Sequence, residues 1–259
     1  MEGSARLFAS EFSRTTLSVP GSPPNDPPFI ITPTGARCRN LFVTGVLTEI
    51  DERAGMILFR VSDPTGAFGL SINDRQQKIA EVVKELAVPS FVSVLGSVHT
   101  FRSGESVRAV LRPESVRAAD RAERDRWILA TADHTLDRLL AAARAIGSGT
   151  GDEAILMAIR HYALTREMIR EFSRMVEEAA AGVAASTASA KTQPPAEEIT
   201  SVVMGIIRER SGIKGIAVED VIARAAEAGI GQDATLAAIG VLVTEDECYQ
   251  PQKGFVKPL

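Results

Sequence analysis

The chain has 259 residues, 45% of them apolar, and a formal net charge of −4. That length accommodates two or more domains with real hydrophobic cores. The acidic balance excludes a protein that coats duplex DNA through bulk charge, while leaving room for a local basic face.

Cys38 and Cys248, and the histidines His99, His134 and His161, are too scattered for a disulfide framework or a metal cluster. No metal or other cofactor is expected. The opening MEGSARLFASEFSR lacks the apolar core of a signal peptide, and no run of 18 apolar residues occurs. A cytoplasmic protein is the expectation.

A short helix is predicted over 5–12. The Ser/Pro-rich SVPGSPPNDPP after it cannot be helical, so 1–27 reads as a flexible arm. Strands follow. Residues 41–50 read LFVTGVLTEI, and Gly45 in mid-strand marks a bend of the kind found at a barrel corner. Runs at 56–62 and 67–72 flank the turn Asp63-Pro64-Thr65-Gly66. Alternation sends Ile57, Phe59, Val61, Phe68, Leu70 and Ile72 inward, and Leu58, Arg60, Ser62, Ser71 and Asn73 outward. A helix is predicted over 74–87, capped by Asp74, with Ile79, Val82, Val83 and Leu86 on one stripe.

The stretch 91–111, FVSVLGSVHTFRSGESVRAVL, alternates on both sides of Ser103-Gly104 and predicts a hairpin. If Arg102 and Glu105 close the turn, Thr100 faces Val107 and Val98 faces Ala109 on the inner side. His99, Phe101, Arg108 and Arg112 then share the outer side. An aromatic among guanidiniums on the polar face of a small sheet suits nucleic acid better than a core. Five strands with a helix between the third and fourth is the order of an OB-fold barrel, here 28–118. A half-open sandwich of another kind is the alternative.

From 119 to 181 the chain reads as helical. Residues 120–146 carry Leu129, Ala132, Leu136, Leu140 and Ala143 at helical spacing, with Trp127 near the start, and a second helix spans 152–181. The small-residue stretch GVAASTASAKTQPPA at 182–196 reads as a linker and domain boundary. Residues 197–259 give three helices and a terminal hairpin, with Asp233 capping the third helix; this is a winged-helix order.

The stretches FVTGVLTEID, FRVSDPTGAFGLSIND and SFVSVLGSVHTFRSGESVRAVLRPESVR, with the following DRWILATADHTLDRL, resemble the middle subunit of replication protein A. They are more similar still to the archaeal replication protein A-associated proteins, as are ARLFASEFSR and FIITPTGAR. The resemblance implies a non-catalytic subunit of a complex that binds single-stranded DNA in replication, repair and recombination. It places Phe101 at a base-stacking position at the end of the fourth strand. Asn73 stands where the family often has a second aromatic, and an amide cannot stack. It also implies that the helix after the barrel packs against sister subunits, through Trp127, Leu129, Leu136, Leu139 and Leu140. The tethered winged helix would recruit replication or repair proteins.

Within 37–117 there are 11 basic and 9 acidic residues, so the barrel is weakly basic inside an acidic protein. Arg60, Arg102, Arg108 and Arg112, read as one group, are candidate phosphate contacts, with His99, Asn73 and Arg75 beside them. The segment 197–259 has 6 basic and 10 acidic residues, and the helix QDATLAAIGVLVT carries no Arg or Lys. That counts against a winged-helix transcription regulator reading duplex DNA and favours a protein-docking module. A scaffold subunit that barely touches DNA is a further alternative. No phosphate loop, metal cluster or catalytic triad is visible, so no enzymatic activity is expected.

Overall fold

A computed structural model describes residues 3–21, 26–53, 55–73, 75–104, 106–189, 196–212 and 214–259. The N-terminal segment holds helix α1 (Ala9–Ser13) and strands β1 (Leu17–Val19), β2 (Phe29–Ile31) and β3 (Arg37–Cys38). The barrel strands are β4 (Asn40–Arg53), β5 (Met56–Asp63), β6 (Gly66–Ile72), β7 (Ser90–Ser103) and β8 (Ser106–Ala118), with α2 (Gln77–Glu85) between β6 and β7. They close in the order β4-β5-β6-β8-β7, and parallel pairing of Leu70 with Leu111 makes the β6–β8 seam. This is a closed, OB-like five-stranded barrel.

The alternation read from the sequence holds. Ile57, Phe59, Val61, Phe68, Leu70 and Ile72 are all buried in one core. Gly45 sits where a Cβ would meet the Ser62 carbonyl oxygen at 2.4 Å, so the strand closes tightly only around glycine. The bulge itself falls three residues further on, at Thr48.

The 1–27 arm is a correction wherever it is described. Ala5 pairs with β4 through Ala5 N–H to the Asn40 carbonyl (2.8 Å) and Phe42 N–H to the Ala5 carbonyl (2.9 Å). Leu7, Phe8 and Phe12 are buried in the barrel core, and β1 pairs with β2. The helix therefore starts at Ala9 and not at residue 5. Burial of three large apolar side chains outweighs the disorder suggested by the prolines after them. Prolines 23 and 24 lie outside the described residues.

Helix α2 is shorter than predicted. Asn73 organises its approach: Asn73 Oδ1 accepts from Arg75 N–H (3.1 Å) and its carbonyl from Gln76 N–H (2.9 Å). Asp74 lies outside the described residues.

Three helices follow: α3 (Arg121–Ser148), α4 (Glu153–Tyr162) and α5 (Arg166–Ser189). Asp120 caps α3 by accepting from Glu123 N–H at 2.7 Å. The single helix expected over 152–181 is two, broken at Ala163, whose φ is +48°; Thr165 Oγ1 then accepts from Met168 N–H (3.2 Å) and restarts the chain. The predicted linker is helical through Ser189. Its alanines are strong helix formers, and Ala179 and Val183 pack on the barrel core. Residues 190–195 lie outside the described residues.

The C-terminal unit contains α6 (Ala196–Arg210), β9 (Ile216–Ala217), α7 (Val218–Glu227), α8 (Gln232–Thr244), β10 (Cys248–Tyr249) and β11 (Phe255–Pro258). Its sheet runs β10-β11-β9 around a separate apolar core that includes Val203, Ile207, Val221, Ile239 and Val256. Gly231, with no side-chain cap, precedes α8, so Asp233 is not its cap. Among the described residues no helix is long and apolar enough to cross a membrane, and no group of three His, Cys, Asp or Glu is placed to hold a metal.

Candidate nucleic-acid interface

Outward residues of neighbouring strands lie side by side on the outer wall, because strands adjacent in the barrel alternate in step. Arg60 is opposite Gly69, and Leu58 opposite Ser71. Leu70 and Leu111 both point inward, so Gly69, Ser71, Val110 and Arg112 point out. Across the β7–β8 ladder, Phe101 is opposite Arg108, His99 opposite Val110, and Ser97 opposite Arg112.

The hairpin register differs by two residues from the predicted one. Ser103 pairs with Ser106, Thr100 with Ala109 and Val98 with Leu111, so the turn is one residue later than Ser103-Gly104. Gly104 adopts φ +59°, which glycine takes without strain. A two-residue shift preserves the faces, so Phe101, His99, Arg108 and Arg112 remain outside together. Arg102 does not join them. It pairs with Val107, out of phase with Phe101, and lines a hollow with Thr16, Leu17 and His161 against the N-terminal sheet.

Phe101 is 64% exposed. An aromatic so open contributes little to the core, and its ring is free to stack. Arg108 and Arg112 are exposed and have no carboxylate within ion-pair distance among the described residues. His99 Nε2 lies 3.1 Å from Ser97 Oγ. Burial lowers its pKa, and the Arg112 guanidinium lowers it further against the opposing pull of Glu114.

A shallow groove of about 360 Å³ runs over β4, β5 and β6 on the outer wall, lined by Glu49, Asp51, Arg53, Leu58, Arg60, Gly69 and Ser71. A Cβ on Gly69 would meet nothing within 4 Å, so the floor there is bare backbone. Leu58, Met56 and Val110 add exposed apolar surface. Sequence reasoning placed Leu58 outward without counting it, and did not single out Met56, Gly69 or Val110. An aliphatic at an outward strand position was the available signal.

Arg60 Nε lies 3.6 Å from Glu219 Oε1 of α7. Arg75 is exposed beside α2. Asn73 is occupied by its turn and lines a second hollow with Met56, Gln77 and Lys84.

The assembly residues divide. Trp127 and Leu139 are buried within the chain itself. The Trp127 indole N–H donates to the Phe42 carbonyl at 2.8 Å and the ring meets Phe8 edge-on, at 5.9 Å between centroids. Leu139 packs with Phe172 between α3, α4 and α5. Neither presents surface to a partner. Leu129, Leu136 and Leu140 are 49%, 40% and 53% exposed, at seven- and four-residue spacings along one face of α3.

No protein-family model matches the chain, and no curated protein matches it. Among solved structures, the S. pombe Stn1–Ten1 complex is similar at 16% identity, covering 51% of this chain and 90% of that one, with a TM-score of 0.42. A replication protein A heterotrimer bound to single-stranded DNA is similar at 20% identity, covering 47% and 88%, with a TM-score of 0.35. The S. cerevisiae mitochondrial single-stranded DNA-binding protein Rim1 is similar at 12% identity, covering 32% and 94%, with a TM-score of 0.27.

Proposed function

We propose that this chain is a non-catalytic, single-stranded DNA-binding subunit of a replication protein A-like complex, of archaeal type. The observation that carries the reading is the outer face of the barrel. There an open aromatic, Phe101, stands directly across from Arg108, a guanidinium with no carboxylate partner among the described residues, with Arg112 on the same side of the hairpin and the bare-backbone floor at Gly69 on a neighbouring strand. Single strands are held by this combination: a base stacks on an aromatic, and guanidiniums follow the phosphates. The sequence stretches resembling the replication protein A middle subunit supply the finer part of the reading, a cytoplasmic role in replication, repair and recombination.

In this reading Leu129, Leu136 and Leu140 are the contact to sister subunits. The C-terminal unit, taken as a winged helix, recruits protein partners. A duplex-reading role is disfavoured by α8, which carries no Arg or Lys and whose Asp233 pairs with Arg121 (2.8 Å). Competition tests the reading. An unlabelled single strand should displace a labelled oligo-dT, and a duplex of equal length should not. Equal displacement by duplex would contradict it.

A further inference from the structure

The C-terminal unit rests on the barrel, and one of its carboxylates lies in a cradle of donors. Glu219, in the first turn of α7, accepts at Oε1 from Thr48 Oγ1 (2.5 Å) and from Ser62 Oγ (2.7 Å), with Arg60 Nε at 3.6 Å. Thr48 is the bulge residue of β4, and the bulge turns its hydroxyl toward Ser62 across the ladder (3.4 Å). Two hydroxyls and a guanidinium converging on one oxygen form an anion site. The barrel contributes all three donors and the C-terminal unit contributes only the anion.

The remaining contacts show how the unit is held. Gly254, at φ +90°, seats against β4 where a Cβ would meet the Thr48 carbonyl oxygen at 2.2 Å. The Gln250 side-chain amide donates to the Val88 carbonyl (2.8 Å), and Lys253 Nζ to the Lys84 carbonyl (2.9 Å). Asp233 pairs with Arg121 at 2.8 Å, and Arg124 donates to the Gln232 side chain at 3.2 Å. These contacts are mainly polar. The unit has its own closed apolar core and does not depend on the barrel to complete it. An interface of this kind is the sort that opens.

Resting on the single-strand reading above, we infer that the Thr48–Ser62–Arg60 cradle is a backbone-phosphate subsite of the single-strand path, and that Glu219 fills it when no DNA is bound. Arg60 points outward beside Gly69 and lines the groove over β4, β5 and β6, with Ser62 two residues along the same strand, so a single strand lying in that groove brings a phosphate to the cradle. Glu219 and that phosphate share sign and acceptor chemistry, and they cannot occupy the cradle together. The acidic C-terminal unit is thereby a competitor of single-stranded DNA. Binding DNA releases it from the barrel, which exposes α7 and the β10–β11 turn to partners only when DNA is bound.

The test uses the full chain and a fluorescein-labelled oligo-dT. Affinity is read by anisotropy and opening by hydrogen exchange over 248–256. Glu219→Gln keeps the hydrogen-bonding shape and removes the charge, and should bind the oligonucleotide at least about fivefold more tightly, the low end of site-to-site coupling. Thr48→Val in that background should reverse part of the gain. Oligonucleotide should also speed exchange over 248–256 in the wild-type chain. Equal affinity of wild type and Glu219→Gln, or binding that leaves exchange over 248–256 unchanged, would overturn the inference and leave the single-strand reading intact. No binding by either chain would overturn both.

Discussion

Phe101 and Arg108 face each other across the β7–β8 ladder on the outer wall of the barrel. They form a stacking surface and a charge at one register position, with Arg112 four rungs further along on the same side. If the guanidiniums follow phosphates, their contribution is counterion release, and it appears in the salt dependence. Arg108→Ala should flatten the slope of log K against log salt by about 0.7, the value for one phosphate contact to a single strand. Arg102→Ala, on the opposite side of the same hairpin, should leave the slope unchanged. Titration at three or more salt concentrations separates the two variants.

The N-terminal segment is fastened by a buried ion pair. Glu11 is fully buried and accepts from Thr34 Oγ1 (2.6 Å) and Arg138 Nη2 (3.1 Å), while Arg138 Nε donates to Thr34 Oγ1 (2.8 Å). Removing one partner strands the other charge. Arg138→Ala should cost about 3–5 kcal/mol in urea unfolding. Loss of less than about 1 kcal/mol, the range of an exposed pair, would mean that the segment is not docked as described.

Trp127 and Leu136 lie on the same helix in opposite environments. Trp127→Ala removes a buried ring and its hydrogen bond, and should cost about 3–5 kcal/mol. Leu136→Ser acts at an exposed position and should change stability by about 0.5 kcal/mol or less. Chemical denaturation of both variants checks this. A large loss for Leu136→Ser would show that the α3 stripe is covered within the chain, and would remove it as a partner surface.

Asp63 is enclosed at the β5–β6 turn, accepting from Ala9 N–H (2.7 Å) and from the Thr65 N–H and hydroxyl (2.7 and 2.8 Å). Burial raises its pKa from 3.8 to about 6, against the lowering effect of those bonds. The folded value exceeds the unfolded one, so protonation favours the fold. This contribution is complete below the unfolded pKa, declines as pH rises toward the folded pKa, and is gone above it. The shift corresponds to at most about 3 kcal/mol. Unfolding free energy should therefore fall between about pH 4 and pH 6 on this account. Asp63→Asn should remove that part of the slope. An identical slope in the variant would contradict the assignment.

Much of the barrel was legible because its strands bury one face and solvate the other. In β5 and β6 every inward residue was identified from period-two alternation. The outer placement of Phe101, Arg108 and Arg112 survived a wrong turn position because the register error was an even number of residues. The N-terminal segment was missed because its prolines dominated the reading, while Ala5 finds its partners on β4, and Phe8 and Glu11 find theirs at Trp127 and Arg138 of α3, far away in sequence. Trp127 and Leu139 were expected to be partner contacts through the family resemblance, and a likeness of sequence does not say what covers a side chain within this chain. The Glu219 cradle left no local signal. Thr48, Ser62 and Glu219 are ordinary residues until a bulge and an interdomain contact bring them together.

The stacking claim is tested most directly by titrating labelled oligo-dT into wild type and Phe101→Ala. The substitution is at an exposed position and should leave the unfolding midpoint unchanged. It should weaken binding by about 1–3 kcal/mol, the contribution of one stacked base. An unchanged affinity would contradict the account and leave the chain as a scaffold that does not hold DNA through this face.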